Sequence, residues 1–67
     1  MERNQQFEDV LNYDFFQDAK RCDMTALEYA KENISANERW FFIDGTDAEI
    51  RELNNQFLQY IKETYDE

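Results

Sequence analysis

A regular run of large apolar side chains in the last third of the chain constrains the fold more than any other feature. Five of them recur every three or four positions: Ile50, Leu53, Phe57, Tyr60 and Ile61. This spacing is typical of one face of an α-helix. Just upstream, Thr46 and Glu49 form a capping-box pattern after the turn signal at Asp44 and Gly45. We therefore predict a helix from Asp47 to Thr64.

A second capping-box pattern lies in the middle of the chain, where Thr25 precedes Glu28 by three residues. Apolar residues follow at helical spacing: Leu27, Ala30 and Ile34. We predict a short helix from Ala26 to Asn33, with Asn33 as its end.

The first third of the chain is also helical in pattern, but it allows two interpretations. Six residues trace one helical face: Phe7, Val10, Leu11, Phe15, Ala19 and Cys22. One interpretation is a single helix from Gln5 to Arg21. The other breaks the helix near residues 12–13 and restarts it with Asp14 as N-cap and Gln17 at the third helical position. We favour helix and leave the break open.

Residues 39–44, Arg39 to Asp44, are aromatic enough for a short strand, yet the sequence offers no second strand to pair with it. A helical turn or an extended segment across the core fits equally well. The predicted class is therefore mainly α: a single acidic domain over residues 1–67, built as a small bundle of three to four short helices. With aromatic residues at 16% of the chain, a few rings can fill its core.

The charge of the chain bears on its partners. Sixteen Asp and Glu side chains face seven Lys and Arg, and without histidine the net charge is -9. The acids are spread along the whole chain. Such a surface opposes direct binding of nucleic acid, which needs cations for its phosphates, and it is repelled by anionic membranes. A basic protein surface is the expected partner.

Catalysis has little chemistry to draw on. The chain has no histidine, one cysteine and one serine, so no Ser-His or Cys-His arrangement can form. We expect no enzyme activity, no cofactor and no metal, and we place Cys22 in the core as a small apolar residue. The lone cysteine, and a polar start in place of a signal peptide, indicate a cytoplasmic protein.

Four consecutive large apolar residues, Trp40 to Ile43, cannot all point inward from one element, although a purely structural role would place Trp40, Phe41, Phe42 and Tyr13 in the core. An exposed aromatic beside carboxylates is typical of an interface hot spot with an acidic rim. The expected partner-binding residues are exposed acids and one aromatic anchor: Glu8, Asp9, Glu28, Glu32, Trp40, Glu52 and Glu63.

This tiny, acidic, aromatic-rich and histidine-free profile resembles that of many inhibitors encoded by phages and plasmids. The resemblance implies a non-enzymatic inhibitor, acting in the host cytoplasm, that covers the basic surface of a nucleic-acid enzyme. A restriction complex, a CRISPR effector, a repair enzyme or a polymerase would be such a target, and the carboxylates would imitate nucleic-acid phosphates. The alternatives are an acidic immunity protein or antitoxin that neutralises a basic toxin, and a small homo-oligomeric assembly subunit.

Overall fold

The computed structural model describes residues 4–65, and within that range it contains four α-helices and no strand. In chain order they are α1 (Gln5–Val10), α2 (Tyr13–Arg21), α3 (Ala26–Ala36) and α4 (Asp47–Tyr65). The predicted small, mainly α bundle is confirmed. The predicted domain bounds of 1–67 extend beyond the described residues at both ends.

The first third of the chain forms two helices, which decides between the two interpretations. Asn12 stands between them with an extended backbone, and its side chain accepts a hydrogen bond from the Phe15 backbone N–H at 2.9 Å. Asn4 caps α1 in the same way through the Phe7 backbone N–H. Such caps satisfy N–H groups that lack a partner within the helix. The predicted N-cap at Asp14 was wrong, because Asn12 takes that role two residues earlier.

The helix α3 begins where its capping box predicts and ends later than expected. The Thr25 and Glu28 side chains accept hydrogen bonds from each other's backbone N–H groups, at 3.1 and 3.2 Å. The predicted end at Asn33 was wrong. The Asn33 side chain instead donates to the Tyr29 carbonyl oxygen at 2.8 Å, a contact made within the helix, which continues to Ala36.

The long helix α4 is confirmed to within one residue at its C-terminal end. Its capping box is complete, because the Thr46 N–H donates to Glu49 Oε1 at 3.0 Å and the Glu49 N–H donates to Thr46 Oγ1 at 3.2 Å. The predicted stripe packs inward, with Leu53 half-buried and the other four members buried. Sequence periodicity missed Asn54, which lies in this face at 4% exposure and donates to the Glu38 carbonyl oxygen at 2.8 Å.

The segment between α3 and α4 is neither strand nor helix but a chain of turns and bends. Arg39 holds it together: its Nη1 donates to the carbonyl oxygens of Ile43 and Gly45 at 3.3 and 3.2 Å, and its Nη2 pairs with Asp47. Gly45 has a φ of 123°, a conformation that residues with a Cβ rarely adopt. These contacts fix where α4 begins.

The core is a cluster of aromatic rings around Phe57, whose side chain is fully buried. Four rings surround it at centroid distances of 5.4, 6.5, 5.1 and 6.0 Å: Phe7, Phe15, Phe41 and Phe42 respectively. All four pairs meet edge to face, an arrangement that aromatic quadrupoles favour. Rings from α1, α2, the linking segment and α4 therefore meet at one point.

Cys22 does not lie in this core, so its predicted burial was wrong. Its thiol is exposed. The helix α2 ends at Arg21, and the chain turns through Asp23, which has a φ of 57°. The prediction extended the helical periodicity to Cys22, but the helix ends one residue before it, so the apolar face of α2 does not include Cys22.

Candidate functional site

The acidic side chains between residues 4 and 65 all lie on the surface, since none of them is buried. Within this described range three ion pairs join acids to bases: Arg21 with Asp18, Arg39 with Asp47, and Arg51 with Glu38. None of the three contains a predicted partner-binding acid. The charge of the predicted surface is therefore not cancelled by these pairs.

Glu8 connects α1 to α4. Its Oε2 accepts hydrogen bonds from the hydroxyls of Tyr60 and Tyr65, both at 2.8 Å. Burial of the Tyr60 ring, together with the hydrogen bond to Glu8 and its negative charge, raises the pKa of the Tyr60 hydroxyl. The two tyrosine hydroxyls thus hold the Glu8 carboxylate in place against α4.

Three further predicted acids are held by glutamine amides one helical turn away. Gln5 Nε2 donates to Asp9 at 2.8 Å on α1. On α4, Gln56 donates to Glu52 at 3.1 Å and Gln59 donates to Glu63 at 2.8 Å. An amide restrains a carboxylate but leaves its full charge, whereas a lysine at the same place would cancel it.

These α4 residues form a stripe that is separate from the bases of the same helix. With 3.6 residues per turn, Glu52, Gln56, Gln59 and Glu63 fall within an arc of about 60°. The two bases, Arg51 and Lys62, lie about 100° further around the helix. The exposed surface of α4 is thus polarised into an acid–amide stripe, formed by these four residues, and a basic edge.

Two predicted acids, Glu28 and Glu32, lie on α3 and not on this stripe. Glu28 belongs to the α3 capping box, and Glu32 is exposed one turn later. The seven predicted residues therefore do not form one line. Tyr60 lies near two of them, because it hydrogen-bonds to Glu8 and borders the same groove as Glu63.

Trp40, the predicted anchor, is half-buried at the edge of the core. Its ring packs against those of Phe15 and Tyr29, at centroid distances of 6.0 and 5.9 Å. The large apolar side chains that reach solvent are Ile43 and Tyr13, with 72% and 74% of their surfaces exposed. At least one member of the apolar run at residues 40–43 was expected at the surface, and it is the aliphatic Ile43, whereas the three aromatic members are half-buried or buried.

An open groove of about 440 Å³ lies between α1 and α4. Its lining combines two aromatic rings, three amides and one acid: Phe7, Tyr60, Asn55, Gln56, Gln59 and Glu63. Sequence reasoning missed the amides. The signal that could have found them is their spacing, because each glutamine of the stripe stands four residues from an acid.

The acids around Gly45 are occupied in the fold. Asp47 pairs with Arg39, and Glu49 closes the α4 capping box. The hydrogen bond from the Thr46 backbone N–H, aided by the Thr46 side chain, lowers the pKa of Glu49. Across residues 4–65 no three acidic or cysteine side chains come together in a way that could hold a metal ion.

Of the helices that the structure describes, none has both the length and the apolar character needed to cross a bilayer. Comparisons of the chain with protein families, with curated proteins and with solved structures gave no match. The surface geometry is therefore what a functional interpretation has to rest on.

Proposed function

We propose that this protein is a non-enzymatic inhibitor that covers the basic, nucleic-acid-binding surface of a larger enzyme. Its carboxylates take the places that phosphates occupy in the natural complex. One observation carries the proposal: three of the predicted acids, Asp9, Glu52 and Glu63, are each held by a neutral glutamine amide, so their positions are restrained while their charge is kept.

Acids held by neutral amides do not stabilise the fold, but they favour binding of a basic partner. Like charges held close together repel, which lowers the stability of a small domain. Lysine or arginine at the glutamine positions would have relieved that repulsion through ion pairs one turn apart. Amides relieve none of it, and a basic partner surface relieves it on binding.

The spacing along α4 suits a charged groove. Glu52 and Glu63 are eleven positions apart, which corresponds to about 16 Å along the helix axis. One strand of B-DNA places about five phosphates along that length. Partner cations that contact phosphates about five positions apart therefore have a spacing that matches the two acids at the ends of the stripe.

The proposal is tested with two triple variants that remove equal charge. The stripe variant carries Glu52→Gln and Glu63→Gln in the stripe, together with Asp9→Asn on α1, an acid that a glutamine holds in the same way. The control variant changes three exposed acids outside the predicted set: Asp14→Asn, Asp23→Asn and Asp44→Asn. A candidate partner recovered from the host cell is titrated with each protein, with and without its own nucleic acid.

We expect the stripe variant to bind at least tenfold more weakly, mainly because three contacts to partner cations are lost. The control variant should lose only the small part of the affinity that comes from long-range charge attraction, which added salt screens. Nucleic acid should compete with the wild-type protein. Equal losses for the two variants, or simultaneous binding of nucleic acid and this protein, would show that phosphate imitation is incorrect.

A further inference from the structure

We infer that the groove between α1 and α4 receives one arginine side chain of the partner. This inference rests on the proposed function, because it takes the partner surface to be basic. It adds that the partner contributes an arginine and not merely positive charge, and it places the guanidinium group beside Glu63, along the narrow exposed strip of the Tyr60 ring.

The groove has a narrow aromatic base and a polar rim. Phe7 and Tyr60 lie at the base with their ring centroids 5.4 Å apart, and only 3% and 8% of their surfaces are exposed. They therefore offer a narrow apolar strip rather than an open ring face. Amide groups and one carboxylate border it: Asn55, Gln56, Gln59 and Glu63.

A guanidinium group matches this lining better than other common side chains. It is planar and more weakly hydrated than an ammonium group, so it can lie along an apolar strip, and its five N–H donors need several acceptors. The rim offers a carboxylate and amide oxygens. Gln59 uses its amide nitrogen on Glu63 Oε1, so its carbonyl oxygen remains the acceptor of that amide group.

Other occupants fit less well. An anion would be repelled by the negative charge of Glu63 and of the rest of the stripe. A lysine ammonium is compact and strongly hydrated, and it lacks the planar fork of donors that can bind a carboxylate and an amide oxygen side by side. An uncharged apolar side chain would leave the rim amides without partners in the contact.

The experiment titrates the free protein with N-acetylarginine amide and, separately, with N-acetyllysine amide. Both probes carry a single positive charge, so they differ in the shape of the cation. Two-dimensional NMR follows the side-chain amides of Asn55, Gln56 and Gln59 and the ring of Tyr60. We expect saturable shifts of these groups, with arginine binding at least threefold more tightly than lysine.

Glu63→Gln and Glu52→Gln form a matched pair of variants. Both acids are exposed on α4 and both accept a hydrogen bond from a glutamine, but only Glu63 borders the groove. Glu63→Gln should weaken arginine binding about three- to fivefold, and Glu52→Gln should leave it within a factor of 1.5. Far-UV circular dichroism verifies that both variants remain folded.

Equal affinities for the two probes, shifts spread over all acidic helices, or equal effects of the two variants would overturn the inference. This outcome is separable from the fate of the proposed function. If arginine does not bind in the groove while the triple stripe variant still binds the partner more weakly, only the groove assignment is wrong. If arginine binds as expected but the stripe variant retains full partner affinity, the proposed function is wrong.

Discussion

Replacing Phe57 with alanine tests the central claim about the core. The side chain is fully buried, and it meets four other aromatic rings drawn from two other helices and the linking segment. Removing such a ring costs about 3–5 kcal/mol, because the lost transfer free energy and the cavity add together. A chain of 67 residues has a total free energy of unfolding of about 3–10 kcal/mol. Phe57→Ala should therefore remove much of the stability.

The measurement is urea unfolding followed by Trp40 fluorescence and by circular dichroism, at low temperature and with sulfate present to keep the variant folded. Phe16→Ala is the control. Phe16 is half-buried and packs against Phe15 and Tyr65 at the edge of the core, so its loss should cost about 1–2 kcal/mol. Similar losses for the two variants, or a loss below about 1.5 kcal/mol for Phe57→Ala, would refute the ring-centred description of the core.

Three further predictions concern the cap, the pH dependence and the oligomeric state. Thr46→Ala should lower the free energy of unfolding by about 1 kcal/mol through loss of the α4 cap, and a change near zero in urea unfolding would contradict the capping role. The lowered pKa of Glu49 contributes stability above its ordinary value of 4.5, and this contribution is lost as the pH falls through the lower folded value. The raised pKa of Tyr60 contributes stability below its ordinary value of 10.0, and this contribution is lost as the pH rises through the folded value. Thermal melts from acid to alkaline pH should show both declines, with Tyr60→Phe removing the alkaline one. Because Trp40 is half-buried, sedimentation should show a monomer with blue-shifted tryptophan emission, and concentration-dependent association would instead favour the assembly-subunit alternative.

Local patterns in the sequence predicted much of the fold. The bounds of α4 and the start of α3 followed from capping boxes joined to periodic apolar residues, and both signals act over a few residues. The division of α1 from α2 was harder to predict, because the apolar stripe runs through the break. Asn12 and Asp14 are both good caps, and the sequence did not distinguish them.

The candidate site was predictable in part. The exposure of its acids follows from their position on the helices, opposite the apolar stripe. The contact of Glu8 with Tyr60 and Tyr65 could not be predicted, since more than fifty residues separate these partners. Likewise, the sequence presents Asn54 as a polar residue that interrupts the apolar face of α4. Only the structure shows that its side chain donates a hydrogen bond to the Glu38 carbonyl oxygen.

The separation in sequence between α1 and its partners has a consequence for the order of folding. Arg39 joins residues 43–47 through contacts that span no more than eight positions. The unit of α3, the linking segment and α4 can therefore close early, at a small cost in loop entropy. Helix α1 has six residues, too few to be stable alone, and it docks through Phe7 and Glu8 onto the C-terminal half of α4.

Docking of α1 should thus be a late event in folding. Substitutions in α1 would mainly speed unfolding, whereas substitutions in α3 and α4 would slow folding. The groove and the Glu8 carboxylate exist in their final geometry only after α1 has docked. Local detachment of α1, without global unfolding, would dismantle both at once, so amide hydrogen exchange in this one short helix would report how often the protein is ready to bind.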